Sequence, residues 1–151
     1  YGRHLKAGHF YMPGPRRGIF NLKVLRDLKP QPLIITESII DALSFMEHGI
    51  ENVLPIYGTN GFTADHAKLL EDLKPSEIIL ALDGDEAGKA GAAELKTKLN
   101  NDLSFSFKCQ TILFPDDKDA NEFFQTRGKT AFEKLLNNVP SSNGTASQLP
   151  A

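Results

Sequence analysis

The chain has 151 residues and a mass of 16.6 kDa, enough for one hydrophobic core without disulfides or a structural metal. Hydrophobic residues make up 40% and charged residues 24%, a composition that excludes a disordered chain and a membrane-spanning one. A single cysteine, Cys109, excludes a disulfide framework and a multi-cysteine zinc module. The chain starts at Tyr1 without a signal-peptide pattern, which predicts a processed chain or a domain of a larger protein.

Charge is distributed unevenly along the chain, although the net charge is only −2. Residues 1–29 carry +6 and residues 30–151 carry −8. This asymmetry predicts a basic strip for an anionic partner beside an acidic region that holds cations. An ordinary solvated surface would show the same asymmetry, so charge alone leaves both interpretations open.

The first 32 residues are broken by glycine and proline, with a short strand predicted at 9–12 and a short helix at 21–28. The prolines at 30 and 32 indicate a boundary, because the residue before a proline avoids the helical region. Strands and helices then alternate. Strands are predicted at 33–36, 53–57, 77–82 and 105–114, and helices at 38–48, 64–73, 86–100, 120–127 and 129–138. After Pro140 the small polar residues predict a disordered tail.

Wholly apolar strands that alternate with helices predict an α/β fold, a parallel sheet of about four strands flanked by helices on both faces. The functional site of such a fold lies at the carboxyl ends of the strands. Acidic residues follow three of the predicted strands: Glu37 after the first, Asp83 and Asp85 after the third, and Asp119 after the fourth. Carboxylates gathered at one edge repel one another unless a cation is bound, which predicts a site for Mg²⁺.

Each of these residues also has a purely structural interpretation. Asp85 has the position of a helix cap, and Glu37 lies where a carboxylate complements a helix dipole. Asp41, one turn beyond Glu37, either joins the acidic cluster or is a solvated helix residue. Gly84 would let the chain approach a phosphate closely. Lys89 is a candidate phosphate contact or an ordinary surface residue.

Four blocks of the sequence, in order and spacing, resemble the TOPRIM domain, a Rossmann-like fold, and in particular that of bacterial DnaG-type DNA primases. Residues 37–41 (ESIID) are similar to the E-G-x-x-D element of that family, with Ser38 in place of glycine. Residues 57–66 resemble its turn and T-x-x-H segment, and 83–91 (DGDEAGKAG) its D-G-D-x-A-G block. Residues 114–122 resemble its P-x-G-x-D-P-D segment, with Asp117 replacing a glycine and Asn121 a second aspartate.

The resemblance implies three parts: the trailing edge of a preceding basic primase subdomain at 1–29, a TOPRIM catalytic domain at 30–139, and a disordered tail or linker at 140–151. It implies a nucleotidyltransferase that joins ribonucleotides into short RNA primers on single-stranded DNA. Mg²⁺ or Mn²⁺ is the implied cofactor. Glu37, Asp83 and Asp85 are implied as catalytic, and the same residues with Asp119 as metal-binding.

The resemblance also implies four basic residues that bind phosphates of the nucleic acid and of nucleoside triphosphates: Arg3, Arg16, Arg17 and Lys89. A replicative helicase is a further implied partner, through domains outside this chain. We expect a cytoplasmic protein without a membrane partner. A TOPRIM nuclease or topoisomerase would use the same carboxylates, and a nucleic-acid-binding module without turnover would retain them, so the acidic pattern does not separate these functions.

Overall fold

The computed structural model describes residues 2–4, 8–10, 13–15, 17–28, 32–58, 60–138 and 143–144. Seven strands lie in this part of the chain: β1 (Gly2–His4), β2 (Gly8–Phe10), β3 (Leu33–Thr36), β4 (Val53–Pro55), β5 (Glu77–Ala81), β6 (Phe107–Thr111) and β7 (Asn143–Gly144). The α-helices are α1 (Leu22–Asp27), α2 (Ile39–Glu47), α3 (Ala64–Leu73), α4 (Glu86–Asp102) and α5 (Ala120–Asn137), and a 3₁₀ turn spans Pro115–Asp117.

The main sheet has the strand order β4-β3-β5-β6-β7. Strands β4, β3, β5 and β6 are parallel, as the sequence predicts, and β7 joins the edge of β6 in the antiparallel direction. Strands β1 and β2 form a separate antiparallel pair. Residues 143–144 fall in the tail predicted to be disordered; the rest of that tail lies outside the described residues.

The predicted strands 53–57 and 105–114 are longer than the observed ones, whereas α4 extends two residues beyond the predicted helix 86–100. The predicted break between two closing helices is confirmed, because Gly128 inside α5 has φ 70° and ψ −177°, which is not helical. A glycine adopts this positive φ without the steric cost that other residues meet.

Side chains alternate between the two faces of the sheet and build two cores. Leu33, Ile35, Ile78 and Leu80 pack with α1, α3 and α4 on one face. On the other face Ile34, Ile79 and Ala81 pack with the aromatic side chains of α2 and α5. Leu25 of α1 is 2% exposed within the first core, so α1 packs against the sheet although it precedes the boundary predicted at residue 30.

The order of the strands defines where a site can form. From β3 the chain passes through α2 to β4 on one side, and from β5 it passes through α4 to β6 on the other side. Helices α2 and α4 cover opposite faces, so a crevice opens between the carboxyl ends of β3 and β5. Such a reversal of strand order is where open α/β sheets bind their ligands.

Candidate active site

Glu37 and Asp83 flank this crevice. Thr36 of β3 pairs with Ala81 of β5, so the residues that follow each strand emerge side by side. The backbone N–H of Asp83 faces the Glu37 carboxylate and acts to lower its pKa. Two acidic residues that are 46 positions apart in the sequence thus lie near each other at the edge of the sheet.

The Asp83 carboxylate is partly buried, and its pKa is raised to about 7. Loss of hydration is the largest cause, followed by the negative charges of Glu37, Asp41, Asp119 and Asp85. These charge effects place Glu37, Asp41, Asp119 and Asp85 within electrostatic reach of Asp83. An ionised Asp83 in this position is destabilised until a positive group comes close.

Glu37 is also partly buried, and desolvation raises its pKa most, with further contributions from Asp41, Asp85 and Asp119. Its Oε2 atom is buried and has no hydrogen-bond partner within the described part of the chain. A buried carboxylate oxygen without a donor is costly, because its hydration has been lost without replacement.

Asp85 and Asp119 both cap helices, as the structural interpretation of Asp85 predicts. The Gly88 N–H donates to Oδ1 of Asp85 at 2.7 Å, and the Glu122 N–H donates to Oδ1 of Asp119 at 2.7 Å. Each cap engages one oxygen of its carboxylate and fixes the side chain at the start of α4 or α5. Capping therefore orients both carboxylates at the edge of the sheet and is compatible with a role in binding a cation.

Glycines allow the Asp83–Asp85 segment to pack tightly. A Cβ at Gly84 would overlap the carbonyl oxygen of Phe114, and a Cβ at Gly88 would overlap that of Asp83. The Gly84 N–H also donates to the Lys118 carbonyl at 2.9 Å. The predicted use of Gly84, a close approach to phosphate, is thus not what its surroundings show: the chain itself fills the space beside it.

Asp41 is not a solvated helix residue; its charge acts on Glu37 and Asp83, so it adds to the acidic cluster from a buried position. Its side chain is 4% exposed. It forms a capping box with Ser38 at the start of α2. The signal was present in the sequence as Ser-x-x-Asp before an apolar run, a pattern that predicts this reciprocal cap.

The basic residues show different surroundings. Lys89 donates to Glu86 at 2.8 Å and lies 3.9 Å from Asp117, so its ammonium group is held at the start of α4. Arg17 is exposed. Arg3 belongs to β1, where only the backbone is described, and Arg16 lies outside the described residues.

His66, the last residue of the segment 57–66, lies in α3 and is fully buried. Its Nδ1 accepts a hydrogen bond from the Thr63 N–H at 3.0 Å, and its ring packs between Tyr57 and Phe62. The ring therefore connects α3 to the turn that follows β4. Thr59 of that turn is outside the described residues.

Within the described ranges, no three His, Cys, Asp or Glu side chains form a ready-made metal cluster. No helix in this described part of the chain is long and apolar enough to cross a membrane.

Comparison with known proteins agrees with this geometry. The family described as Toprim-like matches residues 34–124. The DNA primase of Clostridium acetobutylicum is 36% identical over 109 residues, which cover 72% of this chain and 17% of the relative. The DNA primase of Buchnera aphidicola is 31% identical over 112 residues, covering 74% of this chain and 19% of the relative. The chain thus spans less than a fifth of the length of these relatives.

Solved structures show the same likeness. A structure of the DnaG catalytic core superposes with a TM-score of 0.68 at 26% identity, covering 83% of this chain and 40% of that one. A DnaG primase catalytic domain bound to single-stranded DNA gives a TM-score of 0.65 at 26% identity, covering 83% and 39%. Because the family match over residues 34–124 spans more than half of the chain, this chain belongs to the Toprim-like family.

Proposed function

We propose that this chain is the TOPRIM catalytic domain of a DNA primase. In this role it acts in the metal-dependent, template-directed joining of ribonucleotides into short primers on single-stranded DNA, with release of pyrophosphate. Its partners are then the template, nucleoside triphosphates and, through other parts of the whole protein, a replicative helicase in the cytoplasm. The similarity to DNA primases over some 70% of the chain supports this proposal.

One observation carries the proposal: the negative charges of Glu37, Asp85 and Asp119 act on Asp83 at the crevice between β3 and β5. Their mutual repulsion and the raised pKa of Asp83 are what a site built for a cation shows in its absence. The donor set consists of carboxylate oxygens, which Mg²⁺ and Mn²⁺ prefer. The buried Oε2 of Glu37 is an acceptor that a cation would satisfy. The residues therefore fit a hard divalent ion.

Asp83, Asp85 and Asp119 are the residues we assign to holding the ions, and Glu37 acts as a further ligand or as the general acid/base. Because the described side chains form no closed cluster, water and substrate phosphates would complete the coordination. A divalent ion, when bound, stabilises negative charge on the transferring phosphoryl group.

The other residues of the site bind and orient. The caps on α4 and α5 hold Asp85 and Asp119 in fixed orientations, so little reorganisation is needed when substrate arrives. The ion pair between Lys89 and Glu86 is exposed and weak. Lys89 can therefore leave Glu86 and bind a phosphate instead. Arg3, Arg16 and Arg17 would add sequence-independent contacts with the nucleic acid.

A TOPRIM nuclease, a topoisomerase or a non-catalytic binding module would share the carboxylates. A topoisomerase also needs a nucleophilic tyrosine. The Tyr57 hydroxyl donates to the Gly18 carbonyl at 3.1 Å, while Tyr1 and Tyr11 lie outside the described residues. No contact of the described residues favours a nuclease over a primase.

The test uses the intact parent protein with single-stranded DNA, labelled nucleoside triphosphates and Mg²⁺ or Mn²⁺. We expect new short oligonucleotides that disappear in Glu37→Gln and persist in the matched control Glu47→Gln, an exposed residue at the far end of α2. Shortened DNA without synthesis would assign a nuclease instead. Neither product, with nucleic acid still bound, would assign a binding module.

A further inference from the structure

The helices α2 and α5 set the distance between two of the acidic residues. Glu37 lies directly before Ser38, the N-cap of α2, and Asp119 is itself the N-cap of α5. The two helices pack through aromatic side chains: the Phe45 ring of α2 lies 4.9 Å, centroid to centroid, from both Phe124 and Phe132 of α5. These aromatic contacts lie beyond the first turns of α2 and α5. The first turns, next to Glu37 and Asp119, therefore need contacts of their own to hold them in place.

Like charges oppose this alignment. The negative charge of Asp119 acts on both Glu37 and Asp41, so the two helix starts repel each other when no cation is present. A contact between the first turns must offset this repulsion.

Asp41 supplies such a contact. Oδ2 of Asp41 accepts from the Ser38 hydroxyl at 2.6 Å and from the Ser38 N–H at 3.1 Å. The backbone N–H of Asn121, in the first turn of α5, also faces the Asp41 carboxylate. One buried carboxylate thus connects the cap of α2 to the first turn of α5.

The Asn121 side chain strengthens the same junction. Its Oδ1 lies 3.0 Å from the Ser44 hydroxyl of α2, whose single proton it shares with the Ile40 carbonyl, and accepts from Gln125 of α5 at 3.1 Å. The amide is therefore engaged between the helices, and it stands where the primase pattern has a second aspartate. Ser38, which stands where that pattern has glycine, adds the hydroxyl that donates to Asp41.

We propose that Asp41 is a positioning residue, which fixes the separation of Glu37 and Asp119 by joining Ser38 to Asn121, and that it is not itself a metal ligand. This inference rests on the proposed function only in taking Glu37 and Asp119 as metal-binding. The 4% exposure of Asp41 and the donors from Ser38 and Asn121 account for its carboxylate without an ion.

The test measures the dissociation constant of Mn²⁺ by titration calorimetry for the chain and for Asp41→Ala and Asp41→Asn. Alanine removes the junction, whereas the asparagine oxygen can still accept the Asn121 N–H. We expect alanine to weaken Mn²⁺ binding about 10-fold or more, and asparagine to restore it to within about 3-fold of the unchanged chain. Asp72 is an exposed aspartate near the carboxyl end of α3, and Asp72→Asn controls for the loss of one negative charge.

Equal losses with alanine and asparagine would make Asp41 a ligand and overturn the inference, as would unchanged affinity in Asp41→Ala. If Asp41→Ala does not fold, Ser38→Ala removes one donor and keeps the charge. A weakening of about 2- to 5-fold would then support the inference, and no change would overturn it.

A second readout separates this inference from the proposed function. In the metal-free chain, the amide proton resonance of Asn121 should move upfield in Asp41→Ala and move little in Asp41→Asn, because a hydrogen-bonded amide proton resonates downfield. If the unchanged chain binds no Mn²⁺, the proposed function fails. The amide shift then still decides whether Asp41 joins the helices, and an unmoved Asn121 resonance would overturn that junction.

Discussion

The backbone N–H of Asp83 faces the carboxylate of Glu37 across the crevice between β3 and β5. This relationship places two partly buried carboxylates side by side at the edge of the sheet. Asp83 responds with a pKa raised to about 7, and Glu37 with an Oε2 atom that no described donor reaches. Both features are costs to the metal-free fold that a bound cation would remove.

The first prediction concerns stability without metal. The pKa of Asp83 is about 7 in the folded chain and 3.8 without the fold, so the folded state holds the proton more tightly. Its contribution to stability is fully present below pH 3.8 and is lost as the pH rises to about 7. With EDTA at pH 8, Asp83→Asn should therefore raise the free energy of unfolding, by about 1–3 kcal/mol after allowance for solvent screening.

Urea unfolding with EDTA at pH 8 and at pH 4.5 measures this effect, with Asp72→Asn as the control. The gain from Asp83→Asn should shrink at pH 4.5, where the repulsion is largely relieved by protonation. Destabilisation at pH 8, or an equal gain at both pH values, would contradict the account.

A second prediction follows from the packing of Gly88 on Asp83. A methyl group at Gly88 would overlap the Asp83 carbonyl, which is backbone and cannot turn aside. Gly88→Ala should therefore displace Asp83 and weaken Mn²⁺ binding about 10-fold or more, because a small misplacement of a ligand is costly. Calorimetric titration of Mn²⁺ measures this loss.

Gly128→Ala provides the control for backbone strain. Its φ is +70° and a Cβ would meet open space, so alanine there strains the chain in the middle of α5 without filling the site. It should lower stability by about 1 kcal/mol and leave the Mn²⁺ affinity unchanged. Equal Mn²⁺ affinity in both alanine variants would refute the positioning role of Gly88.

The third prediction concerns His66. Burial lowers its pKa below 6.5, although the Pro55 carbonyl and Asp65 act to raise it. Below pH 6.5 the unfolded chain takes up a proton that the folded chain resists, so this residue reduces stability as the pH falls, by at most about 1.4 kcal/mol per pH unit. His66→Asn keeps an acceptor for the Thr63 N–H and removes the titration.

Between pH 7 and pH 5.5, the unfolding free energy of the unchanged chain should decrease relative to that of His66→Asn. Comparing slopes cancels the carboxylates, which act in the opposite direction over this range. Parallel slopes would show that His66 remains neutral in both states or is charged in both.

The fold and the edge of the site follow from local sequence signals. Apolar runs such as 33–36 predict buried parallel strands, and the rule that sites lie at carboxyl ends then selects Glu37 and Asp83. The caps at Asp85 and Asp119 are likewise local, because each accepts from a residue three positions on.

What the sequence does not reveal depends on contacts between distant segments. Asp41 is buried because α5, about 80 positions later, packs over the start of α2. Gly84 meets Phe114 and Lys118, which are some 30 positions away. No local periodicity encodes these meetings, so the surroundings of Asp41 and Gly84 could be found only in the folded chain.

The central claim is that the four carboxylates form a divalent-cation site, and calorimetric titration of the chain with Mn²⁺ tests it most directly. The account predicts saturable binding that weakens at least about 10-fold when Asp83→Asn and Asp85→Asn are combined. The charge-matched pair Asp72→Asn and Glu133→Gln, both exposed positions, should retain the affinity of the unchanged chain. Undiminished Mn²⁺ binding in the Asp83 and Asp85 double variant would contradict the account.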